Sequence, residues 1–527
     1  FSSGRNITRG GASTLRLDRS GAGTTLLASG VTVDAALEAG FGGSNTVVTL
    51  SSAVTVRSLT VDSGSTFSTD AANSYALTLN VGALTVKGAF AGNGSTVSVA
   101  GNVTTSATTT FSAAGVLRLN GGGAQALNLT APGSLAGLQV SKGAGTVTVT
   151  GNLVLAGSLQ LLPGNAGTLT LANSSLNSVA GSVSADNGTL AMGTTSSLSV
   201  GQHWTFQSGT TFTPSSSTVT FNGTGAQTIT PSLLAPFNHL TFSKASGTAT
   251  LAAATTCNGS VSVTGTTSLD LGGQTLNVAV NVTLSAGSTL AASGSTLVFT
   301  GSTAHSLTCA GKSFHHLSVT GSASLSPQDN LTLTGALNVG SGTSLVPVAG
   351  AGVSVGGGST ISGTVTLSAA NDTLSGGVTV NSTGSLAMGG GANVINGSLA
   401  SAATVTSTGS LALNGDVSHT GGAFTVSAAA TLAGSSISFA TTGNVTFSDV
   451  TFNGGPAQSV NLDATDDLAG NITVAGSGNT VTFSDAIVLA SNSTITVNVG
   501  CVLVLNGGGT NNWSATGTQT AGAGLIR

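Results

Sequence analysis

The sequence predicts an all-β protein, a right-handed parallel β-helix with turns of about 25 to 26 residues. Three observations lead to this prediction. One nine-residue phrase occurs four times at near-integer multiples of a single length, and short runs that alternate polar with apolar residues fill most of the chain. Charged residues make up only 5% of the 527 residues. A stack of turns allows this chain length because each turn contacts only its neighbours.

The phrase runs from Phe221 to Ile229 as Phe-Asn-Gly-Thr-Gly-Ala-Gln-Thr-Ile, and its other copies begin at Leu119, Phe299 and Phe452. The steps from 119 to 221, from 221 to 299 and from 299 to 452 are 102, 78 and 153 residues. They are close to four, three and six times a length of about 25.5 residues, which is typical of one solenoid turn. We therefore expect the copies to mark equivalent positions on different turns.

Each copy predicts a corner between two strands. An apolar residue ends the first strand, Gly and Asn accept the backbone angles of the turn, and the second strand begins at Ala-Gln or Ala-His. The two-residue period of a strand puts Gln227 on the same side as Ile229. Either Gln227 points inward and bonds the corner backbone, or a bulge breaks the alternation; in both cases we expect a structural residue.

The N-terminal end carries two distinct segments. Residues 1–30 predict an arm that contains a strand-like alternation over 14–19. Residues 31–44 predict a short capping helix, because Asp34 can cap it, the following alanines favour helix and Gly40 can end it. The basic residues of the arm are Arg5, Arg9, Arg16 and Arg19.

Residues 45–508 predict the solenoid body, and residues 509–527 a polar tail. Alternating runs recur about every 8 to 10 residues in the body, so about three strands fit in one turn. A β-sandwich would show the same alternation but not a phrase that returns at multiples of one length. Left-handed β-helices use hexapeptide repeats, which do not fit this spacing.

Two stretches carry a resemblance to known proteins. The predicted helix, followed by the strand from Asn45 to Leu50, resembles the N-terminal plug of pectin-lyase-like right-handed β-helices. The stretches 217–229 and 237–244 resemble the β-strand repeats of very large bacterial surface and secreted proteins, such as adhesins, autotransporter passengers and extracellular filament components. The resemblance implies a fold and an extracellular setting, and it carries over no catalytic residue.

The charged residues do not indicate an active site. Basic residues of the body are isolated in sequence, so no paired acid and base is expected, and we predict a protein that is not an enzyme and needs no cofactor. Only Asp463 to Asp467 gather carboxylates, which could bind Ca²⁺ or form a solvated loop, and we predict no metal site. We expect Cys257, Cys309 and Cys501 to be buried as small apolar residues.

Composition also limits the partners. The net charge of −4 gives no general attraction to nucleic acid, and the longest apolar run, Cys501 to Leu505, is too short to cross a membrane. Since the chain starts at Phe1 without a signal peptide, we expect a processed, secreted product.

These observations predict the structural subunit of a bacterial extracellular filament, found outside the cell or on its surface. The expected partner is another copy, joined head to tail. Surface glycans or the cell envelope are possible further partners. The predicted contact joins the arm, added to the neighbour as a strand, to an acidic C-terminal end. Its residues are Leu15, Arg16, Leu17 and Arg19 of the arm and Asp463, Asp466 and Asp467 of the acidic end. The alternatives are the stalk or passenger of an adhesin and, less favoured, a polysaccharide-active β-helix enzyme.

Overall fold

Every regular element in the structure, a computed structural model, is a β-strand. The structure describes residues 7–8, 14–17, 24–27, 32–40, 46–106, 110–130, 135–232, 235–368, 370–441, 443–455, 457–462, 467–468, 470–476, 478–483, 488–489, 493–505, 519–521 and 525–526. These strands pair in parallel with strands about one turn away in sequence, which makes the fold a parallel β-solenoid. The predicted fold class is therefore confirmed.

The chain divides into two compact units, Phe1–Asp270 and Leu271–Arg527. Within each unit, successive strands contribute in rotation to three parallel stacks, and one turn generally supplies one strand to each stack. The turn that follows Gln227–Thr230 instead supplies one of the stacks with the single paired residue Phe237, opposite Cys257. Long strands bend at a corner and serve two stacks in succession, as Thr32–Ala39 does around a register shift between Val33 and Ala36. The stacks of the first unit are named A, B and C, and those of the second unit D, E and F.

Stack A holds the strands that precede stack B in each turn of the first unit, namely Ile7–Thr8, the first parts of Thr32–Ala39 and Val54–Val61, Leu77–Leu79, Thr96–Val99, the last parts of Thr110–Leu119 and Leu135–Val140, Leu159–Leu161, Val183–Ala185, Trp204–Phe206, Gln227–Thr230, Thr248–Leu251 and Ser268–Asp270. Stack B consists of Thr14–Leu17, the last parts of Thr32–Ala39 and Val54–Val61, Leu84–Val86, Val103–Thr105, Gln125–Asn128, Thr146–Thr150, Thr168–Thr170, Thr189–Ala191, Thr211–Thr213 and Thr255–Cys257. Stack C consists of Thr24–Leu27, Val47–Leu50, Thr66–Ser68, Ala89–Ala91, the first parts of Thr110–Leu119 and Leu135–Val140, Val154–Leu155, Leu176–Val179, Ser197–Val200, Thr218–Phe221, His239–Phe242 and Val261–Val263.

The second unit repeats this arrangement. Stack D consists of Thr289–Ala291, Ser313–Phe314, Leu331–Leu333, Val353–Val355, Thr373–Leu374, Ala392–Ile395, Ser410–Leu413, the last parts of Phe424–Leu432 and Val445–Phe452, Asn471–Val474, Ile495–Val497 and Gln519–Ala521. Stack E consists of Thr275–Val278, Thr296–Phe299, His316–Val319, Leu337–Val339, Ser359–Ile361, Val378–Val380, Leu399–Ser401, Val417–His419, Ser436–Phe439, Gln458–Leu462, Thr480–Phe483, Val502–Leu505 and Leu525–Ile526. Stack F consists of Val282–Leu284, Ala304–Thr308, Ser324–Pro327, Ser344–Leu345, Thr364–Thr366, Ser385–Met388, Val405–Ser407, the first parts of Phe424–Leu432 and Val445–Phe452, Asp467–Leu468 and Val488–Leu489.

Most turns are shorter than the sequence predicted. Arg118 lies opposite Gln139 of the next turn and bonds it, a step of 21 residues. Gln139 in turn bonds Gln160 after another step of 21 residues. The step falls to 18 residues where Asn414 bonds Asn396, and it is longest between Ile7 and Val33. The prediction of one regular period of about 25.5 residues is therefore wrong.

The reason is that the repeated phrase does not return to one corner. In the first unit, Leu119 ends a strand of stack A, whereas Phe221 ends a strand of stack C. In the second unit, Phe299 ends a strand of stack E and Phe452 a strand of stack D. The step from 119 to 221 thus contains a fraction of a turn, and dividing it by a whole number gave too long a period.

The core is a column of apolar side chains enclosed by the three stacks of each unit. The predicted burial of Phe221, Phe299 and Phe452 is confirmed, since each is at most 1% exposed. Around the turn of Trp204 the core is aromatic: its ring lies 5.0 Å from Phe212 and 6.3 Å from Phe221, both edge to face. These three rings belong to one turn, and Phe221 also stacks on Phe242 of the next turn. Burial of the rings therefore stabilises the contact between turns as well as the single turn.

The predicted capping helix is wrong, because Thr32–Ala39 is a strand. Val33, Ala35, Leu37 and Ala39 are all buried, and the residues between them are not. This two-residue alternation fits a strand with one buried face, and pairing on both sides outweighs the helix propensity of alanine.

Strands also occur in the predicted arm and tail. Thr14–Leu17 pairs with residues 36–39 of the second turn, and Leu17 is buried. Gln519–Ala521 pairs with residues 495–497, and Leu525–Ile526 pairs with Val502 and Leu503. The solenoid pairing therefore extends into both segments that the sequence set apart from the body.

We expect Phe221→Ala to destabilise the turns around it by about 3 to 5 kcal/mol, because it removes a fully buried ring and leaves a cavity. Phe221 stacks on Phe242 of the next turn at 5.7 Å, so that turn should lose stability too. Amide hydrogen exchange of these turns is the measurement, since a solenoid need not unfold in one step. Thr220→Ala, on the outward face of the same strand, should change the free energy of opening by less than about 0.5 kcal/mol. Equal amide protection in Phe221→Ala and Thr220→Ala would contradict the burial of the Phe221 ring between these turns.

Candidate functional site

The structure describes only part of the predicted assembly contact. Thr14–Leu17 is a strand of its own solenoid rather than a detached arm, so the prediction of a free arm needs correction. Leu17 is buried, Leu15 is half-buried, and Arg16 pairs through Nε with Glu38 Oε2 at 2.7 Å. The ion pair follows from the strand register, which places Arg16 opposite Glu38 and places Leu15 and Leu17 opposite Leu37 and Ala39.

The remaining residues of that contact cannot be placed in the same way. Arg19, Asp463 and Asp466 lie outside the described residues. Asp467 begins the short strand Asp467–Leu468 and lies opposite Thr446.

Asp34, which the sequence assigned to a helix cap, instead accepts a hydrogen bond from Arg57 Nη1 at 3.2 Å on the outer surface.

The feature with the most specific chemistry is the corner marked by the repeated phrase. Val200 pairs with Phe221, and Trp204 pairs with Ile229. Three residues therefore form the corner of one turn, and seven form the corner of the next. The longer corner extends beyond the shorter one beneath it, and we call it the overhanging corner, residues 222–228.

Gln227 fills the inner side of the overhanging corner. Its Nε2 donates hydrogen bonds to the carbonyl oxygens of Val200, at 2.9 Å, and Gln202, at 2.7 Å. Gln227 is 1% exposed, so the interpretation of an inward-pointing corner glutamine is confirmed. The Val200 carbonyl oxygen also accepts the Asn222 N–H of the next turn, whereas the Gln202 carbonyl oxygen has Gln227 as its described partner. Leaving that corner carbonyl group unbonded would be costly.

A buried lysine from the following turn completes the corner. Lys244 Nζ donates to Gln227 Oε1 at 2.7 Å, to the Gly225 carbonyl oxygen at 2.9 Å, and to the Gly223 carbonyl oxygen. Lys244 is 3% exposed, and burial lowers the pKa of its amino group. Three acceptors around one ammonium group match its three donors.

The corner that begins at Leu119 repeats this arrangement atom for atom. Gln125 Nε2 donates to the carbonyl oxygens of Val99 and Gly101, and Lys142 Nζ donates to Gln125 Oε1 at 2.7 Å. Lys142 also donates to the carbonyl oxygens of Gly121 and Gly123, and burial again lowers its pKa. Two corners at different edges of the same unit thus use one Gln–Lys pair each.

The two corners of the second unit are formed without the lysine. Gln458 bonds the carbonyl oxygens of Leu432 and Gly434, and Asn479 Nδ2 donates to its Oε1 at 2.8 Å in place of a lysine. His305 occupies the glutamine position, and its Nδ1 lies 2.8 Å from the Val280 carbonyl oxygen. His305 is buried, and its Nε2 has no hydrogen-bond partner among the described residues.

The sequence reasoning missed the two lysines, which it treated as isolated charges. A usable signal was present: Lys142 follows Gln125 by 17 residues, and Lys244 follows Gln227 by the same distance. A matched spacing between a polar corner residue and a lysine would have indicated a buried pair.

Outside the corner, an open groove of about 640 Å³ lies against its outer face. The overhanging corner forms one side of the groove, and the corners of the two preceding turns supply the rest of its lining. Its lining is polar or small and includes Gln202, His203, Asn222 and Thr224. Cβ atoms at Gly201 and Gly223 would overlap backbone carbonyl groups of the preceding turn, so glycine is required for the turns to stack this closely.

Two further histidines take part in hydrogen bonds between turns. His239 and His316 use Nδ1 to accept the backbone N–H groups of Ser260 and Ala336. In the described part of the chain no three His, Cys, Asp or Glu side chains are grouped closely enough to hold a metal ion.

The three cysteines are free and buried, as predicted. Burial raises the pKa of Cys257 to about 11 and that of Cys309 to about 12. These thiols are therefore protonated and weakly nucleophilic near neutral pH.

Comparison with protein-family models, with curated proteins and with solved structures gave no match for this chain. Among the described residues, no helix is long and apolar enough to cross a membrane.

We expect Lys244→Met to change how the stability depends on pH. Because burial lowers the pKa of Lys244 in the folded chain below its ordinary 10.5, the unfolded chain binds more protons between those two pKa values. The wild-type protein should then become more stable as pH rises through this window, and the variant should lack this gain. Urea unfolding over a series of pH values measures it, with Lys87→Met, an exposed lysine on a surface ion pair, as control. Parallel pH curves for wild type and Lys244→Met would contradict a buried titrating lysine.

Proposed function

We propose that this protein is a structural subunit of a secreted bacterial filament, which assembles head to tail through the edges of its solenoid. One observation carries the proposal. Parallel strands extend to the first described turn, with Ile7–Thr8 and Thr14–Leu17, and to the last described strands, Gln519–Ala521 and Leu525–Ile526. A strand at the edge of a stack presents backbone donors and acceptors that a second chain can pair with.

In this mechanism the arm acts through the first described turn, and not as an extended peptide. The Leu17 carbonyl oxygen accepts the Gly40 N–H at 3.0 Å, so this side of the strand faces the second turn. The backbone groups of Thr14, three residues earlier, face the opposite edge because successive residues of a strand alternate. There a strand of a second copy can add by the same parallel pairing that joins the turns.

The composition supports an extracellular role. Few charges, with many Ser, Thr and Asn residues for the outward-facing positions of the strands, suit a stacked solenoid that assembles with further copies. Buried thiols with raised pKa values suit an oxidising environment, since they resist oxidation while the chain is folded. We propose that the protein acts without catalysis: described carboxylates such as Asp416 and Asp449 accept hydrogen bonds from the next turn.

A second candidate is a binding module, such as the stalk or passenger of an adhesin. The groove beside the overhanging corner favours it, because a concave polar surface is the usual form of a binding site. A polysaccharide-active enzyme is less favoured than either.

We expect Thr14→Pro to prevent polymerisation and to leave the solenoid folded. Proline removes the N–H that faces the outer edge, and it is tolerated as the first residue of an edge strand. Thr14→Val keeps the N–H and should polymerise as the wild type does. Electron microscopy of the purified proteins, with circular dichroism to verify folding, is the measurement. Fibres of equal length from both variants, or isolated particles from the wild type, would exclude this mode of assembly.

A further inference from the structure

The groove beside residues 222–228 exists because neighbouring corners differ in length. The corner after Val200 has three residues, and the corner above it has four more. Gly201 and Gly223 let these turns stack closely, and the four extra residues of the longer corner line one side of the groove. The groove crosses three successive turns, because its lining also includes Ser178 to Ala180 of the turn below.

His203 presents a hydrogen-bond donor to this groove. Its Nδ1 accepts the backbone N–H of Thr228 at 3.0 Å, so the proton of the neutral ring is on Nε2. The side chain is exposed and lines the groove. The hydrogen bond to Thr228 fixes the orientation of the ring, so its donor is held in place before a ligand arrives.

Carboxamide and hydroxyl groups surround this donor. Gln202 Oε1 accepts the Ser182 hydroxyl at 3.4 Å, which leaves the Nε2 donors of Gln202 available. The side chains of Asn222 and Thr224 are exposed and make no hydrogen bond to the described residues. Together these groups offer donors and acceptors at neighbouring positions, the arrangement that vicinal hydroxyl groups require.

The chemistry of the lining selects among ligands. No aspartate, glutamate, lysine or arginine lines the groove, so neither an anionic nor a cationic polymer would find a counter-charge. A peptide strand could not add to the adjacent sheet, because Ser197–Val200 is already paired with strands on both sides. The lining also offers no large apolar pocket for peptide side chains.

We propose that this groove binds a neutral polysaccharide. The sugar chain lies along the stacking direction, where successive turns are about 4.8 Å apart, a distance comparable with the length of one pyranose residue. His203 and Gln202 contact hydroxyl groups from the shorter corner, and Asn222 and Thr224 contact them from the overhanging corner. This site is independent of assembly at the solenoid ends.

The chain itself supplies a matched control corner. Asn102 occupies the place of His203 in the corner below Gln125, and its Oδ1 accepts the Ala126 N–H at 2.8 Å, as His203 Nδ1 accepts that of Thr228. Gly101 occupies the place of Gln202, since both carbonyl oxygens accept the corner glutamine. The double variant Gln202→Gly and His203→Asn therefore carries the two residues that another corner of this protein has at these places, and it should fold.

The test is isothermal titration of the full chain with cellohexaose and with mannohexaose, and with an alginate hexamer as an acidic contrast. We expect the wild type to bind at least one neutral hexasaccharide, and the double variant to bind it about tenfold more weakly or not at all. Asn222→Ala should weaken binding as well, without altering the circular dichroism spectrum.

Several results would overturn the proposal. The first is no binding of either neutral sugar, and the second is equal binding by wild type and double variant. Binding of alginate in preference to both neutral sugars would also overturn it. Binding of an unstructured Ser/Thr-rich peptide that is lost in the double variant, with no sugar binding, would assign the groove to a peptide. Whether the double variant forms filaments does not affect the interpretation of sugar binding. A failure of the sugar-binding proposal can therefore be distinguished from a failure of the assembly proposal.

Discussion

The backbone of each turn must find its hydrogen-bond partners in the turns above and below, and the rest of the structure follows from this constraint. Where two neighbouring turns have corners of equal length, the parallel ladder alone provides these backbone hydrogen bonds. Where a corner gains four residues, as between Val200 and Ile229, the ladder no longer supplies a partner for every corner carbonyl group. Gln227 bonds the Gln202 carbonyl oxygen of the shorter corner from inside the solenoid, and Lys244 bonds Gln227 and the Gly225 carbonyl oxygen of the longer corner.

The four corners meet the same requirement with different side chains. Two use glutamine with lysine, one uses glutamine with Asn479, and one uses His305. The His305 ring bonds one carbonyl oxygen through Nδ1, whereas Gln227 bonds two through Nε2. The second ring nitrogen, His305 Nε2, has no hydrogen-bond partner among the described residues. The requirement is therefore for buried donors at a given place, and not for one residue type.

The sequence predicted the parallel solenoid, the corners and a structural role for the corner glutamine because each depends on local alternation and turn chemistry; of the two orientations it allowed for Gln227, the structure shows the inward one. It failed where the outcome depends on pairing across turns. Ala35 to Ala39 favour a helix in isolation, yet a strand forms there because Thr14–Leu17 and the next turn pair on its two sides. The turn length was also wrong, since one phrase at 119 and 221 marks two different corners, and nothing local distinguishes them. The groove could not be foreseen, because it arises from a difference in length between corners that are distant in sequence.

Each turn contacts only the turns next to it, and this has a mechanical consequence. A force applied along the chain from one terminus would peel the turns away one at a time, since no hydrogen bond or ring contact described here within a unit ties a turn to a distant one. Each turn of 21 residues, such as the step from Arg118 to Gln139, would release about 70 Å of extended chain. The Gln–Lys corners would resist most, because removing one turn there exposes a buried ammonium group and several carbonyl groups at once. Under load the molecule would yield in small increments, and its strongest points would lie where its outline is least regular.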